Sequence, residues 1–261
     1  MIDLWKYRRF IIGSDVREFR SKYARSMLGS AWLLLAPFSM ILVYTLVFSR
    51  IMHTRLPGVH DPFAYSVFLC AGLLPWQWFT ELLGRNVSVF VDHAGLIRKS
   101  TFPYLALPVI AFLSSAVNFL LIAFLFLLFL IISGNWPGVG LLWVIPLLIL
   151  QSIFAGSLGV SLGVLNVFFR DVGQSVGIIL QFWFWLTPII YPVNALPDWA
   201  QEKLHTWNPV AAVFEGYQRI FLRQGSPDWL GIAPFALMTL VVLVLAVIVY
   251  RAGCRQLADE L

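Results

Sequence analysis

Charge is what this sequence has least of. Asp, Glu, Lys and Arg make up 12% of its 261 residues against a hydrophobic share of 60%, where soluble domains carry about 25% charge. With a mean hydropathy of +0.83, this excludes an ordinary soluble fold and predicts an integral membrane protein. No polar stretch is long enough to form a second, soluble unit, so one membrane domain is expected over residues 1–261. Cysteine is nearly absent. Cys70 and Cys254 fall on opposite sides of the predicted membrane, which excludes a disulfide between them. The N-terminus, MIDLWKYRRFIIGSD, has no apolar core of about 7–15 residues behind its basic residues and does not read as a cleaved signal peptide.

Chemical signatures are scarce too. No G-x-x-x-x-G-K-[ST] loop occurs, so the chain is not expected to bind ATP in that manner. His53, His60, His93 and His205 are scattered and form no cluster with Cys, Asp or Glu at metal-ligand spacing, so no metal site is expected. The centres of the apolar runs hold almost no ionisable groups, unlike those of ion-coupled carriers. Glu81 is the exception. Arg85 follows it by four residues, in the order that favours a helical ion pair. Residues 159–163, GVSLG, match the G-x-S-x-G pattern of serine hydrolases, which would make Ser161 the nucleophile of an intramembrane hydrolase. That motif needs a strand-to-helix elbow and a histidine base, and here it lies inside an apolar helical run. Helix packing through the small residues Gly156, Gly159 and Gly163 is the better reading, and no catalytic residue is assigned.

What is present is a series of membrane-length apolar segments. The fold class predicted is all-α, with six transmembrane helices, an N-terminal amphipathic interface helix, and re-entrant helices between spans 5 and 6. Residues 1–27 place Ile12, Val16, Phe19 and Tyr23 on one helical face among many basic residues, the pattern of a helix lying in the interface. It fits a topology-setting flank and a docking element equally. Spans 1–5 fall within 28–192, at about 28–48, 63–83, 105–132, 141–165 and 176–191, with a polar segment expected over 86–103. The last span is expected over about 232–250, within the closing segment 232–261. Residues 193–231 include Asn208, Pro209, Glu215 and Arg219, and each charge at a helix centre in lipid costs about 2.5–3.5 kcal/mol. A re-entrant fold resting on protein is therefore expected there.

The net charge of +5 follows topology, and no nucleic-acid partner is expected. Thirteen basic residues, from Lys6 to Arg255, fall on one side of this plan and five on the other. Both termini are then cytoplasmic.

The stretch 167–192, VFFRDVGQSVGIILQFWFWLTPIIYP, stands apart. It opens on the charged turn Arg170–Asp171, and its helix would rise about 24 Å against a hydrocarbon core of roughly 30 Å. It carries Phe182, Trp183, Phe184 and Trp185 consecutively, so their rings point all around the helix. Aromatic faces suit both sugar rings and protein packing.

Five blocks, in order, resemble the ABC-2 type permeases of polysaccharide export, particularly those exporting the O-antigen of lipopolysaccharide. They are KYARSMLGSAWLLLAP (22–37), FLCAGLLPWQWF (68–79), LIRKSTFPYLALP (96–108), FFRDVGQ (168–174) with LTPIIYP (186–192), and WNPVAAVFEGYQRIFL (207–222). The resemblance implies a half-transporter in the bacterial inner membrane, two copies forming a channel for a lipid-linked glycan. Two copies of a separate ATPase would hold ATP and Mg, with no cofactor in this chain. Capsule and teichoic acid exporters share the plan. By the same resemblance, Arg17, Arg20, Leu96, Ile97, Arg98 and Lys99 would touch the ATPase. Arg170 and Asp171 would form a cytoplasmic charged turn. Trp76, Trp78 and Phe182–Trp185 would border the substrate path, and Pro192, Asn208, Pro209, Glu215 and Arg219 would belong to an outer gate. Membrane lipids surround the whole.

Overall fold

In the computed structural model of the chain, residues 13, 32–47, 61–97, 104–223 and 225–253 are described, and every regular element among them is helical. In chain order they are α1 (Trp32–Tyr44), α2 (Ala64–Asp92), the single turn α3 (Ala94–Ile97), α4 (Ala106–Ile132), α5 (Val144–Phe168), α6 (Asp171–Leu186), α7 (Asp198–Trp207), α8 (Ala211–Phe221) and α9 (Trp229–Gly253). Short 3-10 segments, Gly138–Trp143 and Val193–Ala195, lead into α5 and towards α7. The all-α class agrees with the sequence. Among the described residues, three helices are long and apolar enough to cross a membrane: Ala106–Ile132, Gly138–Phe168 and Trp229–Gly253. The chain is a multi-pass membrane protein.

Helix α2 is the axis of the bundle. Of its 29 residues 21 are buried, so its neighbours are mostly protein, and that is why it tolerates Gln77, Glu81, Arg85 and Asn86. Arg85 Nε donates to Glu81 Oε1 at 3.0 Å, and Asn118 Nδ2 of α4 donates to Oε2 at 2.7 Å. Both carboxylate oxygens are thus occupied. Pro75 lies inside α2 and lacks the N–H that a helix interior uses. Beside it, Gln151 Nε2 of α5 donates to the Pro75 carbonyl at 2.7 Å, and Tyr217 of α8 donates to Gln151 Oε1 at 2.9 Å. The proline turn is therefore fastened by side chains from two other helices.

Glycines set the α2–α5 contact. A Cβ at Gly159 would lie 2.6 Å from Asn86 Cβ, and one at Gly163 would collide with the Asn86 carbonyl oxygen, whereas nothing lies within 4 Å at Gly156. Two of the three small residues therefore make the close approach. Asn166 completes the joint, donating to the Val87 carbonyl at 3.0 Å and accepting from the Gly173 amide at 2.8 Å. Between α4 and α5 the chain reverses through Gly134 and Gly138, whose φ of 74° and 63° is left-handed and suits glycine.

Two boundaries differ from expectation. Helix α2 continues nine residues past the predicted end at 83. Val87, Val89 and Phe90 lie on its buried side, and no proline interrupts the run, so much of the expected polar segment is helical. Helix α6 begins at Asp171 and ends at Leu186, five residues earlier at each end than expected. Pro188 disfavours helical conformation at the residue before it, and Thr187 is extended with φ −103° and ψ 132°.

Candidate functional site

The aromatic block of α6 divides into two faces. Trp183 and Phe184 are half-buried and turn towards α2. Trp183 meets Trp76, Phe79 and Phe154 edge-on, with ring centroids 6.4, 5.7 and 6.4 Å apart. Phe184 lies 5.7 Å from Trp76, and Phe214 of α8 lies 5.5 Å from it on another side. Trp78 faces elsewhere and stacks on Phe119 of α4 at 4.6 Å. Phe182 and Trp185 are 67% and 60% exposed and continue a stripe with Ile178, Ile179 and Leu186, positions three, four and seven apart on one helical face.

Beyond Leu186 the backbone leaves the helix while still inside protein. Thr187, Pro188 and Ile189 are buried, so their carbonyls need partners other than water. The α7–α8 hairpin supplies most of them. Asn208, between α7 and α8, donates to the Leu186 carbonyl at 3.2 Å and to Thr187 Oγ1 at 3.0 Å, and accepts from Trp183 Nε1 at 3.0 Å. Gln218 of α8 donates to the Pro188 and Ile189 carbonyls at 3.0 and 3.3 Å. From α2, Tyr65 donates to the Ile190 carbonyl at 2.8 Å. Gly72 leaves room for this arrangement, since a Cβ there would stand 3.1 Å from both Gln218 Nε2 and Ile189 Cγ2. One asparagine and one glutamine thus cap an interrupted helix.

Helix α8 fits this role, with nine of its 11 residues buried. Glu215 occupies its partly exposed face and receives a hydrogen bond from His205 Nε2 of α7 at 2.9 Å. That bond raises the His205 pKa above its ordinary value. Partial burial opposes the shift, and the charges of Glu215 and Asp228 add to it. Arg223, at a left-handed φ of 59°, ends α8 and donates through Nη2 to the Gly134 carbonyl at 2.5 Å, joining α8 to the α4–α5 turn.

The other expected residues are spread over the bundle. Arg170 and Asp171 are exposed at the start of α6, where an acidic first-turn residue complements the helix dipole. Leu96 is half-buried, whereas Ile97 is wholly buried with Phe90, Leu107 and Val164. Pro192 and Pro209 are half-buried, and Arg219 is exposed. Arg17, Arg20, Arg98 and Lys99 lie outside the described residues, as does most of the interface helix. Sequence reasoning missed Tyr65, Thr187, Gln218 and His205. The available signal was a polar side chain within an apolar run, which Thr187 in FWFWLTPII gives most clearly. Ser161 Oγ donates to the Ser157 carbonyl at 2.9 Å, and its flanking Gly159 and Gly163 are helix contacts. Among the described residues, no group of His, Cys, Asp or Glu could hold a metal ion.

The profile of the ABC-2 type transporter family matches residues 16–222. The chain belongs to this family. That stretch reaches from before α1 to the end of α8, so the α6 turn and its capping hairpin both lie within the shared ABC-2 domain. Similar proteins include the O-antigen export system permease protein RfbA of Myxococcus xanthus, 30% identical over 260 residues, 99% of this chain and 98% of that protein. A protein of the same name from Klebsiella pneumoniae is 29% identical over 207 residues, 79% of this chain and 77% of that one. The polysialic acid transport protein KpsM of Escherichia coli is 23% identical over 237 residues, 90% of each.

Proposed function

We propose that this chain is the membrane permease subunit of an ATP-driven exporter of lipid-linked polysaccharide in the bacterial inner membrane, with O-antigen as its glycan. The observation that carries this is the end-to-end likeness to an O-antigen export permease, covering 99% of this chain. In this reading both termini are cytoplasmic and there are six spans: α1, α2, α4, α5, α6 and α9. The α7–α8 hairpin is re-entrant and gates the outer end. Two copies form the channel, and two copies of a separate ATPase hold ATP and Mg. The ATPase meets the chain through Arg17, Arg20 and residues 96–99, with Arg170 and Asp171 nearby. The exposed stripe of Phe182 and Trp185 faces the glycan, while Trp76, Trp78, Trp183 and Phe184 stiffen the wall behind it.

The test is co-reconstitution of the chain with its ATPase in vesicles loaded with lipid-linked O-antigen. Glycan translocation is expected only with both proteins and ATP; transport by the chain alone would overturn the reading. The likeness to a polysialic acid transport protein supports a second reading, capsular polysaccharide export. Competition between O-antigen and capsular glycan in the same vesicles separates the two.

A further inference from the structure

Helices α4 and α9 stand apart over α5, leaving a groove of about 540 Å³ whose floor includes Asn86 of α2. Phe112, Ile153 and Val247 line its walls, and Tyr250 and Arg251 lie at one end. Among the described residues, Arg251 is the only charged one in the lining, no acidic residue accompanies it there, and it forms no ion pair. Along α5 the groove runs from Val160 to Ser152 and along α9 from Arg251 to Leu243. Eight residues of helix rise about 12 Å, close to the depth of one leaflet in a core roughly 30 Å thick. Apolar walls one leaflet deep, with a single cation at the rim, are complementary to an anionic phospholipid.

We infer that this groove binds one anionic phospholipid, its phosphate at Arg251 and an acyl chain laid on α5 between α4 and α9. The site is separate from the exposed stripe of α6. Its occupant fills space that the helices leave open and holds α4 and α9 at their spacing.

Gly156 provides the probe. It lines the groove and has open space where a Cβ would be, while Gly159 and Gly163 carry the contact with α2. Gly156→Phe therefore fills the groove without entering that contact. The full chain, purified in mild detergent and supplied with phosphatidylglycerol or phosphatidylcholine, is read by native mass spectrometry. Wild-type chain should retain one phosphatidylglycerol in preference to phosphatidylcholine. Arg251→Gln should lower that retention about fivefold, and Gly156→Phe should remove it. Equal retention of the two lipids, or unchanged retention in Gly156→Phe, would overturn the assignment. So would a Gly156→Phe chain that keeps its lipids but changes oligomeric mass, since a second copy would then be the occupant.

Discussion

Replacement of Asn208 by alanine tests whether the end of α6 is held by side chains. Asn208 is 8% exposed and has three partners. Its removal orphans the Trp183 indole N–H and the Leu186 carbonyl, whereas Thr187 keeps its own bond to the Trp183 carbonyl at 2.8 Å. A buried group left without a partner costs about 1–3 kcal/mol, so two of them set an upper range of about 2–6 kcal/mol. Side-chain hydrogen bonds measured inside membranes average about 0.6 and reach about 1.7 kcal/mol, because the freed groups find other partners. Here Thr187 is fully buried and the rings of Trp76 and Phe79 crowd Trp183, so replacement partners are few. A loss of about 2–3 kcal/mol is expected. Trp183→Phe removes the donor and retains a ring, so the cycle of single and double variants isolates one bond at about 1 kcal/mol. SDS-titration unfolding followed by tryptophan fluorescence supplies both numbers. A midpoint unchanged in Asn208→Ala, or a coupling near zero, would refute the capping role.

Four further outcomes follow. Trp183→Ala should destabilise by about 3–5 kcal/mol, whereas Trp185→Ala should leave the unfolding midpoint in place and slow glycan export; export unaffected in Trp185→Ala would remove that ring from the path. Gly159→Leu should prevent accumulation of folded chain, while Gly156→Ala should accumulate like wild type by gel filtration. The Glu215 bond favours charged His205, so the α7–α8 contact is complete below the ordinary imidazole value of 6.5 and is lost as pH rises through the raised pKa. Glu215→Gln should move the His205 titration, followed by NMR, back towards 6.5. Charge reversal at Arg98 and Lys99 should lower glycan export per ATP hydrolysed, measured in the two-protein vesicles.

How much of this was legible depends on the range of the interaction. The span 105–132 was within one residue of α4 because unbroken apolar composition is a local signal. The Glu81–Arg85 pair was legible for the same reason, both partners lying on one helix four residues apart. Its third member was not. Asn118 lies 37 residues away, and nothing in the local pattern says which face of α4 meets α2. The continuation of α2 to Asp92 was missed because Arg85, Asn86 and Asp92 read as polar surface. Burial beside Gly163, which admits the Asn86 backbone, makes part of that stretch core. The division of the aromatic block was likewise a tertiary matter. Four consecutive rings point in four directions, and only the positions of Trp76 and Phe79 select Trp183 and Phe184 as the buried pair.

The short segment 176–191 shows the same limit most sharply. Its length was judged correctly, since α6 also has 16 residues, but its placement was five residues off because one proline outweighs the apolar run around it. A helix ending within a protein leaves carbonyls with no intrahelical donor, and in an apolar environment these must be satisfied locally. Asn208 and Gln218 do this from 22 to 30 positions further along the chain. Asn208, one of the residues that made 207–222 a poor lipid-facing span, and Gln218, which the sequence reading passed over, are therefore the ones that let α6 stop where it does. In the gating view, opening requires those bonds to exchange their carbonyls for other partners, and Asn208→Ala should then raise passive leak through the reconstituted channel. A tight channel in that variant, with its unfolding midpoint lowered as calculated, would make the hairpin a structural cap and place the gate elsewhere.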